Sequence, residues 1–287
     1  MKNIYLTGAS GFVGSHLKKM METRGWEVKT LSRADFAAGS GHLQKLIDGS
    51  DAVVHLAGAP IARRWNAKVK QELRDSRILT TRALSEAICA CQNPPRVFVS
   101  ASAVGIYEGF GIHDENSTAL AQDFLGRLCM DWEAEAKRAS DCSRVVNPRI
   151  GLVLGRDGGV LQRQLPVFRL GLGGPIGCGR QGFPFIHIDD LCRAFIYILE
   201  NESLQGPVNI VAPEMVDNRT FAFTMGKILR KPAFWPVPRF ALWLLFGQGA
   251  EAITAGQFVQ PAKLLTAGFE FTFPHLREAL IDLIVKK

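Results

Sequence analysis

Hydrophobic and polar positions alternate between two periods along the first half of the chain. Asn3 to Leu6 is a short β-prone run. After a glycine loop, Phe12, Val13, Leu17, Met20 and Met21 recur at helical spacing until Gly25. Glu27 to Leu31 reads as a second strand. Ala52 to Leu56 is nearly all apolar, as a strand covered on both faces requires. From Asn66 to Cys91 the residues Val69, Leu73, Ala83, Ala87 and Cys91 fall largely at four-residue steps, which predicts a long helix packed on a sheet. A strand over Arg96 to Val99, a helix over Asp123 to Ala139 and a strand over Ser143 to Val146 follow. Strands separated by helices in this order predict an α/β fold with a Rossmann-type, doubly wound parallel sheet.

The rhythm changes after Pro148. Gly171 to Gly182 holds six glycines in twelve residues and reads as a connector or as a lid over a ligand. Asp189 and Asp190 precede the apolar run Leu191 to Leu199, where carboxylates at a helix start act as N-caps. Short helical patterns and proline-rich turns follow Pro213. The expected division is a nucleotide-binding domain over 1–155, completed by about 186–212. Residues 156–185 and 213–287 would form a smaller, substrate-facing C-terminal lobe.

Composition narrows the picture. The 287 residues are 47% hydrophobic and 21% charged, enough to bury a core, which excludes wholesale disorder. A net charge of +7 suits an anionic partner, yet the Lys and Arg residues form no long block, so no nucleic-acid partner is expected. The most apolar late stretch, Phe240 to Phe246, is far short of the roughly 20 residues of a membrane span, so no membrane partner is expected either. The six cysteines contain no C-x-x-C and read as small apolar fillers of a reducing, cytoplasmic compartment; no metal site is expected.

The strongest chemical signal is Thr7-Gly8-Ala9-Ser10-Gly11-Phe12-Val13-Gly14, a G-x-x-G-x-x-G placed between the first strand and the first helix. Gly8 permits a tight turn, Gly11 lets the backbone approach a pyrophosphate, and Gly14 allows helix and strand to pack closely. The helix N-terminus, opened by Ser10 to Val13, then faces the phosphates. At the end of the second strand, Leu31-Ser32-Arg33 has no carboxylate before Asp35. An acidic residue there would bond a ribose 2′-hydroxyl. The Arg33 guanidinium can instead pair with a 2′-phosphate, or stand as a solvated surface charge, and Ser32 can add a hydrogen bond, so the expected cofactor is NADP(H).

Taken together, these residues resemble the extended short-chain dehydrogenase/reductase superfamily, and more closely its atypical epimerase-family branch, across essentially the whole chain. The resemblance rests on TGASGFVG, LSR, DAVVHLAGAP, RRWN, SASAVGIY, DWEAEA, PRIGLVLGRDGG, LGLGGPIGCGRQGFPFIHIDDL and GFEFTFPHLREAL in that order. It implies that Leu56, Ala57 and Gly58 line the adenosine–pyrophosphate groove. It also implies that Glu72 and Arg77 reach the cofactor, and that Val153 lies near the nicotinamide. From the residues alone, Gly58 permits close backbone approach, whereas Arg77 reads equally as an ordinary helix-surface charge.

The same resemblance exposes a gap. Extended members generally combine a Ser or Thr with Tyr and Lys in Y-x-x-x-K, where lysine lowers the tyrosine pKa. Ser102 stands at the serine position, but Cys129 and Glu133 occupy the other two. Tyr107 is a candidate displaced acid or a tyrosine packed in a loop, and His187 a candidate substrate contact or a structural histidine. Two readings follow. One is an NADP(H)-dependent, epimerase-like oxidoreductase acting on a small molecule, with a rearranged proton relay. The other is a non-catalytic NADP(H)-binding redox sensor or regulator. A homodimer is compatible with either.

Overall fold

The computed structural model describes residues 2–250 and 255–285. Its first part alternates strands and helices: β1 (Asn3–Thr7), α1 (Phe12–Thr23), β2 (Glu27–Leu31), α2 (Arg33–Ala37), α3 (Ser40–Ile47), β3 (Ala52–His55), α4 (Ala67–Ala90) and β4 (Val97–Ser100). Then come β5 (Ser102–Ala103), β6 (Ile112–His113), α5 (Phe124–Lys137), β7 (Arg144–Ile150), β8 (Leu152–Leu154), α6 (Gly159–Arg169), β9 (Phe185–His187), α7 (Ile188–Glu200) and β10 (Gly206–Ile210). The chain ends through α8 (Asn218–Leu229), α9 (Arg239–Phe246), β11 (Phe258–Val259), α10 (Ala262–Thr266) and α11 (Leu276–Ile284).

The main sheet runs β10-β7-β4-β3-β1-β2, with β5 added beside β7. Every pairing in it is parallel. The strand order reverses between β1 and β3, and this switch point leaves a crevice at their carboxyl ends. The Rossmann-type fold is therefore the one the alternating pattern predicts. Strand β7 extends past the expected Val146 to Ile150, with Pro148 accommodated inside it opposite Val208.

Two apolar clusters flank different parts of this frame. Ile4, Leu6, Leu17, Val54, Val99, Leu191, Phe195 and Ile210 belong to the cluster on one sheet face. Leu154, Leu161, Phe185, Phe221, Met225 and Leu280 form a second core, drawn from the later segments. Leu264 and Phe269 nevertheless pack into the sheet's cluster, so the C-terminal stretch contributes to both cores.

Two expectations need correction. Asp189 and Asp190 do not cap α7: the N-cap is His187, whose Nδ1 accepts from the Asp189 N–H at 3.1 Å. Asp190 is fully buried, accepts from the N–H groups of Thr272 and Phe273, and pairs with Arg193. Its carboxylate pins the C-terminal segment to α7. Cys89 and Cys142 are not free fillers; they form a disulfide joining the end of α4 to the turn before β7. Gly171 to Gly182 is tied down by backbone hydrogen bonds, Gly177 N–H to Val237, Val237 N–H to Pro175 and Gly179 N–H to Ile176. Among the described residues no helix is long and apolar enough to cross a membrane.

Candidate functional site

The glycine turn lies at the switch point. Gly8 has φ +70°, and a Cβ there would come within 2.8 Å of the Leu56 carbonyl carbon. Its lack of a side chain lets the β1–α1 turn press against the end of β3. At Gly14 a Cβ would stand 2.1 Å from the Gly8 oxygen, so this glycine allows α1 to seat on its own turn. Gly11 is exposed and caps α1 without a side-chain hydrogen bond. The leading N–H groups of α1, at Phe12 and Val13, are thus left for an anionic ligand. Ser10 is exposed beside them. The Phe12 ring fills a cradle made by Gly155 and Gly158, where any Cβ would meet it within 2.4 Å.

The opposing wall is fixed by a buried hydrogen-bond chain that the sequence did not announce. Thr7 Oγ1 accepts from the N–H groups of Leu56 and Ala57, each at 3.1 Å, and contacts His55 Nδ1 at 2.7 Å. Burial depresses the His55 pKa to about 3, so the ring is neutral. Thr7 can then donate to Nδ1, while Nε2–H donates to Thr80 Oγ1 at 3.2 Å. Ser76 holds the chain just beyond Gly58 by accepting from Ala59 N–H at 3.0 Å.

Arg77 is buried rather than an ordinary surface charge. Its guanidinium hydrogen-bonds the Leu73 and Ala59 carbonyls and lies 5.2 Å from the Trp132 ring centroid. Among the described residues no carboxylate pairs with it. Burial lowers its pKa from the ordinary arginine value. Gly58 is needed for this arrangement, since a Cβ there would sit 2.9 Å from the Arg77 Cζ. The close approach is to Arg77 rather than only to a ligand.

The outer rim is more mixed. Arg33 is exposed at the end of β2. The Ser32 hydroxyl is committed to a capping box, donating to Asp35 Oδ2 at 2.6 Å. This occupies the donor expected to assist Arg33. Glu72 is exposed and ion-paired with Arg63 at 2.7 Å. The Arg63 hydrogen bond lowers its pKa, with Arg33 and Lys68 adding to the effect. Val153 is half-buried in β8, packed against the sheet's core.

Of the positions of the missing Tyr and Lys, only Glu133 belongs to a polar plate, which links it to Ser102, Arg149, Tyr107 and Asn209. Register places Ser102 opposite Arg149. Ser102 Oγ donates to Glu133 Oε1 at 2.6 Å, and Arg149 grips both Glu133 oxygens at 2.8 Å. A third Arg149 nitrogen donates to the Tyr107 hydroxyl at 2.7 Å, and Tyr107 donates to Asn209 Oδ1 at 2.8 Å. Cys129 is buried, its thiol pushed up to about 12 by that burial. It is no thiolate nucleophile.

Two of the candidate residues are buried. Tyr107 is 0% exposed, stacks on His113, and burial raises its pKa. A phenol sealed in this way is a poor displaced proton donor. His187 is 1% exposed, caps α7 and stacks on Phe273 with ring centroids 3.9 Å apart. Its Nε2 faces Asp282 at 3.5 Å, and burial lowers its pKa. These contacts are those of a structural histidine.

A switch-point crevice, an uncapped helix N-terminus and a buried guanidinium define a dinucleotide-binding α/β protein. The chain belongs to the NAD dependent epimerase/dehydratase family, whose model matches residues 4–211; a domain of unknown function, DUF1731, matches residues 237–283. The human epimerase family protein SDR39U1 is 38% identical across 98% of this chain and 99% of its own length. A crystal structure of that human protein (isoform 2) with NADPH superposes with TM-score 0.91 at 37% identity, covering 98% of each chain. A UDP-glucuronic acid 4-epimerase from Bacillus cereus, at 20% identity, TM-score 0.77 and coverage of 98% and 97%, shares the fold.

Proposed function

We propose that the chain binds NADP(H) in the crevice between β1 and β3 and acts as an epimerase-like oxidoreductase on a hydroxyl-bearing small molecule. The glycine cradle and the carboxylate-free Arg77 fit a pyrophosphate; Gly8, Ser10, Gly11, Phe12, Val13 and Gly14 would hold it from one side. Leu56, Ala57 and Gly58 form the other wall. Arg33 would meet the 2′-phosphate, and the human relative's crystallisation with NADPH supports that choice. Glu72 would act mainly by holding Arg63. A bound nicotinamide supplies or accepts hydride, and Val153 would stand near it.

The observation carrying the catalytic reading is the 2.6 Å hydrogen bond from Ser102 to Glu133. With its own proton committed to Glu133, Ser102 Oγ presents lone pairs that can accept a substrate hydroxyl. Glu133 is the adjoining carboxylate, held in place by Arg149. Such positioned proton transfer is typically worth about 10²- to 10⁴-fold. In a metabolite screen following NADPH absorbance, Ser102→Ala and Glu133→Gln should each reduce turnover by about 10²-fold or more. Turnover indifferent to both substitutions would remove the pair from the chemistry. The sealed Tyr107 favours a second reading, a non-catalytic NADP(H) sensor; NADPH binding without any substrate in such a screen would select it.

Cofactor choice is tested separately. NADPH should bind roughly 10- to 150-fold more tightly than NADH, the equivalent of about 1.5–3 kcal/mol for a charge-assisted hydrogen bond. Arg33→Ala should erase most of that difference and leave NADH affinity nearly unchanged. Calorimetric titration showing equal or tighter NADH binding by the wild type would overturn the assignment.

A further inference from the structure

The chain's positive charge is not evenly spread. Residues 159–182 and 218–250 together carry eight Lys and Arg and no Asp or Glu, leaving the rest of the chain with 26 Lys and Arg against 27 Asp and Glu. The net charge of +7 therefore originates in these two segments. Among the described residues they also carry most of the large exposed apolar side chains, including Leu170, Leu172, Phe223, Phe234, Trp235, Phe240, Trp243 and Leu244.

The two properties meet on one face. Phe223, Lys227, Arg230, Lys231, Pro232 and Phe234 line a shallow groove of about 380 Å³ between α8 and the loop after it. Trp235 is 64% exposed, with its ring 5.2 Å from that of Phe234. A Cβ at Gly171 would lie 3.3 Å from the Pro232 ring, which brings the turn bearing Leu170 and Leu172 to the groove's margin. The loop is firmly backed: the Trp235 carbonyl packs on Gly174, and Val237 pairs with Ile176. The aromatic rings stand on an ordered base.

We propose that this face adsorbs to an anionic lipid bilayer, with Phe234 and Trp235 entering the headgroup region and Lys227, Arg230 and Lys231 meeting lipid phosphates and carboxylates. Exposed Trp, Phe and Leu rimmed by Lys and Arg have the composition of an interfacial anchor. The acid-free segments match the negative potential of such a surface. A second copy of the chain is a poor occupant, because a two-fold contact would set this basic face against itself. The expectation of no membrane partner came from the lack of a span, and surface adsorption needs none.

Co-sedimentation tests the inference. The full chain should pellet with phosphatidylcholine vesicles in which about a third of the lipid is phosphatidylserine, and remain in solution with pure phosphatidylcholine. Raising salt from about 0.1 to 0.5 M should release it. The double substitution Phe234→Ala/Trp235→Ala, and separately Lys227→Glu/Lys231→Glu, should each reduce the bound fraction about tenfold. These side chains are outside the crevice, so unchanged NADPH titration verifies that both variants are folded. Equal pelleting with neutral and anionic vesicles, or wild-type pelleting by either variant, would overturn the proposal. So would a dimer by light scattering that the aromatic substitutions dissolve, which assigns the face to a second copy. Salt-sensitive binding of polyglutamate with no vesicle binding would overturn it in favour of an acidic protein partner.

Discussion

Gly11→Val should leave the protein folded yet bind NADPH at least about 100-fold more weakly, because the new side chain stands where pyrophosphate and backbone must meet. The structure explains why the two effects separate here. Gly11 is exposed with ordinary extended φ of −78°, and a Cβ would approach only the Gly8 oxygen, at 3.2 Å. That contact can relax by a few tenths of an ångström, so the apo protein has little to lose. The branched valine would nevertheless cover the N–H groups at the start of α1, which no side chain caps. Gly14→Val is the contrasting control. Its Cβ would be 2.1 Å from the Gly8 oxygen and 2.9 Å from the Ala9 Cα, so the helix cannot stay seated on the turn. It should lose stability as well as cofactor. Circular dichroism with calorimetric titration distinguishes the two; a folded Gly11→Val protein that titrates like the wild type would show that the phosphate loop is misplaced.

The alternation of periods near 2 and 3.6 was enough to reveal the parallel sheet, because β3 and β4 are buried along their whole length and α1 and α4 bury one side. The glycine loop was equally readable, since its chemistry is local. What escaped the sequence was long-range pairing. Tyr107 meets a partner 102 residues away in Asn209, and Asp190 ties down Thr272 and Phe273 more than eighty residues later. No periodicity encodes such contacts. From the residues alone Arg77 read equally as a surface charge, because nothing local marks the Trp132 ring beneath it or the absent side chain of Gly58 beside it. The Cys89–Cys142 bond spans 53 residues and has no spacing signature either.

Restoring the lysine of the Y-x-x-x-K pair should damage the protein rather than revive the chemistry. Glu133→Lys would replace a carboxylate gripped by both Nε and a terminal nitrogen of Arg149 with a second cation. Arg149 is only 7% exposed in its side chain and Glu133 15%, so water can do little to screen the repulsion. Breaking a buried pair by removing one partner typically costs about 3–5 kcal/mol, and placing a like charge beside the survivor adds to that. A melting-temperature fall of about 10 °C or more is expected. The damage should spread, because Arg149 also supports the Tyr107 hydroxyl and Glu133 accepts from Ser102. Glu133→Gln is the milder comparison: its amide oxygen can still accept from one guanidinium nitrogen, at the cost of the bidentate charge pair. Adding Cys129→Tyr to Glu133→Lys should not rescue turnover with nucleotide sugars, since position 129 is only 4% exposed and a phenol there would overpack the core. A stable Glu133→Lys protein melting like the wild type would mean that the Ser102–Glu133–Arg149 plate holds no part of the fold, and a Cys129→Tyr/Glu133→Lys protein that epimerises UDP-sugars would show that position 129 can hold a working tyrosine.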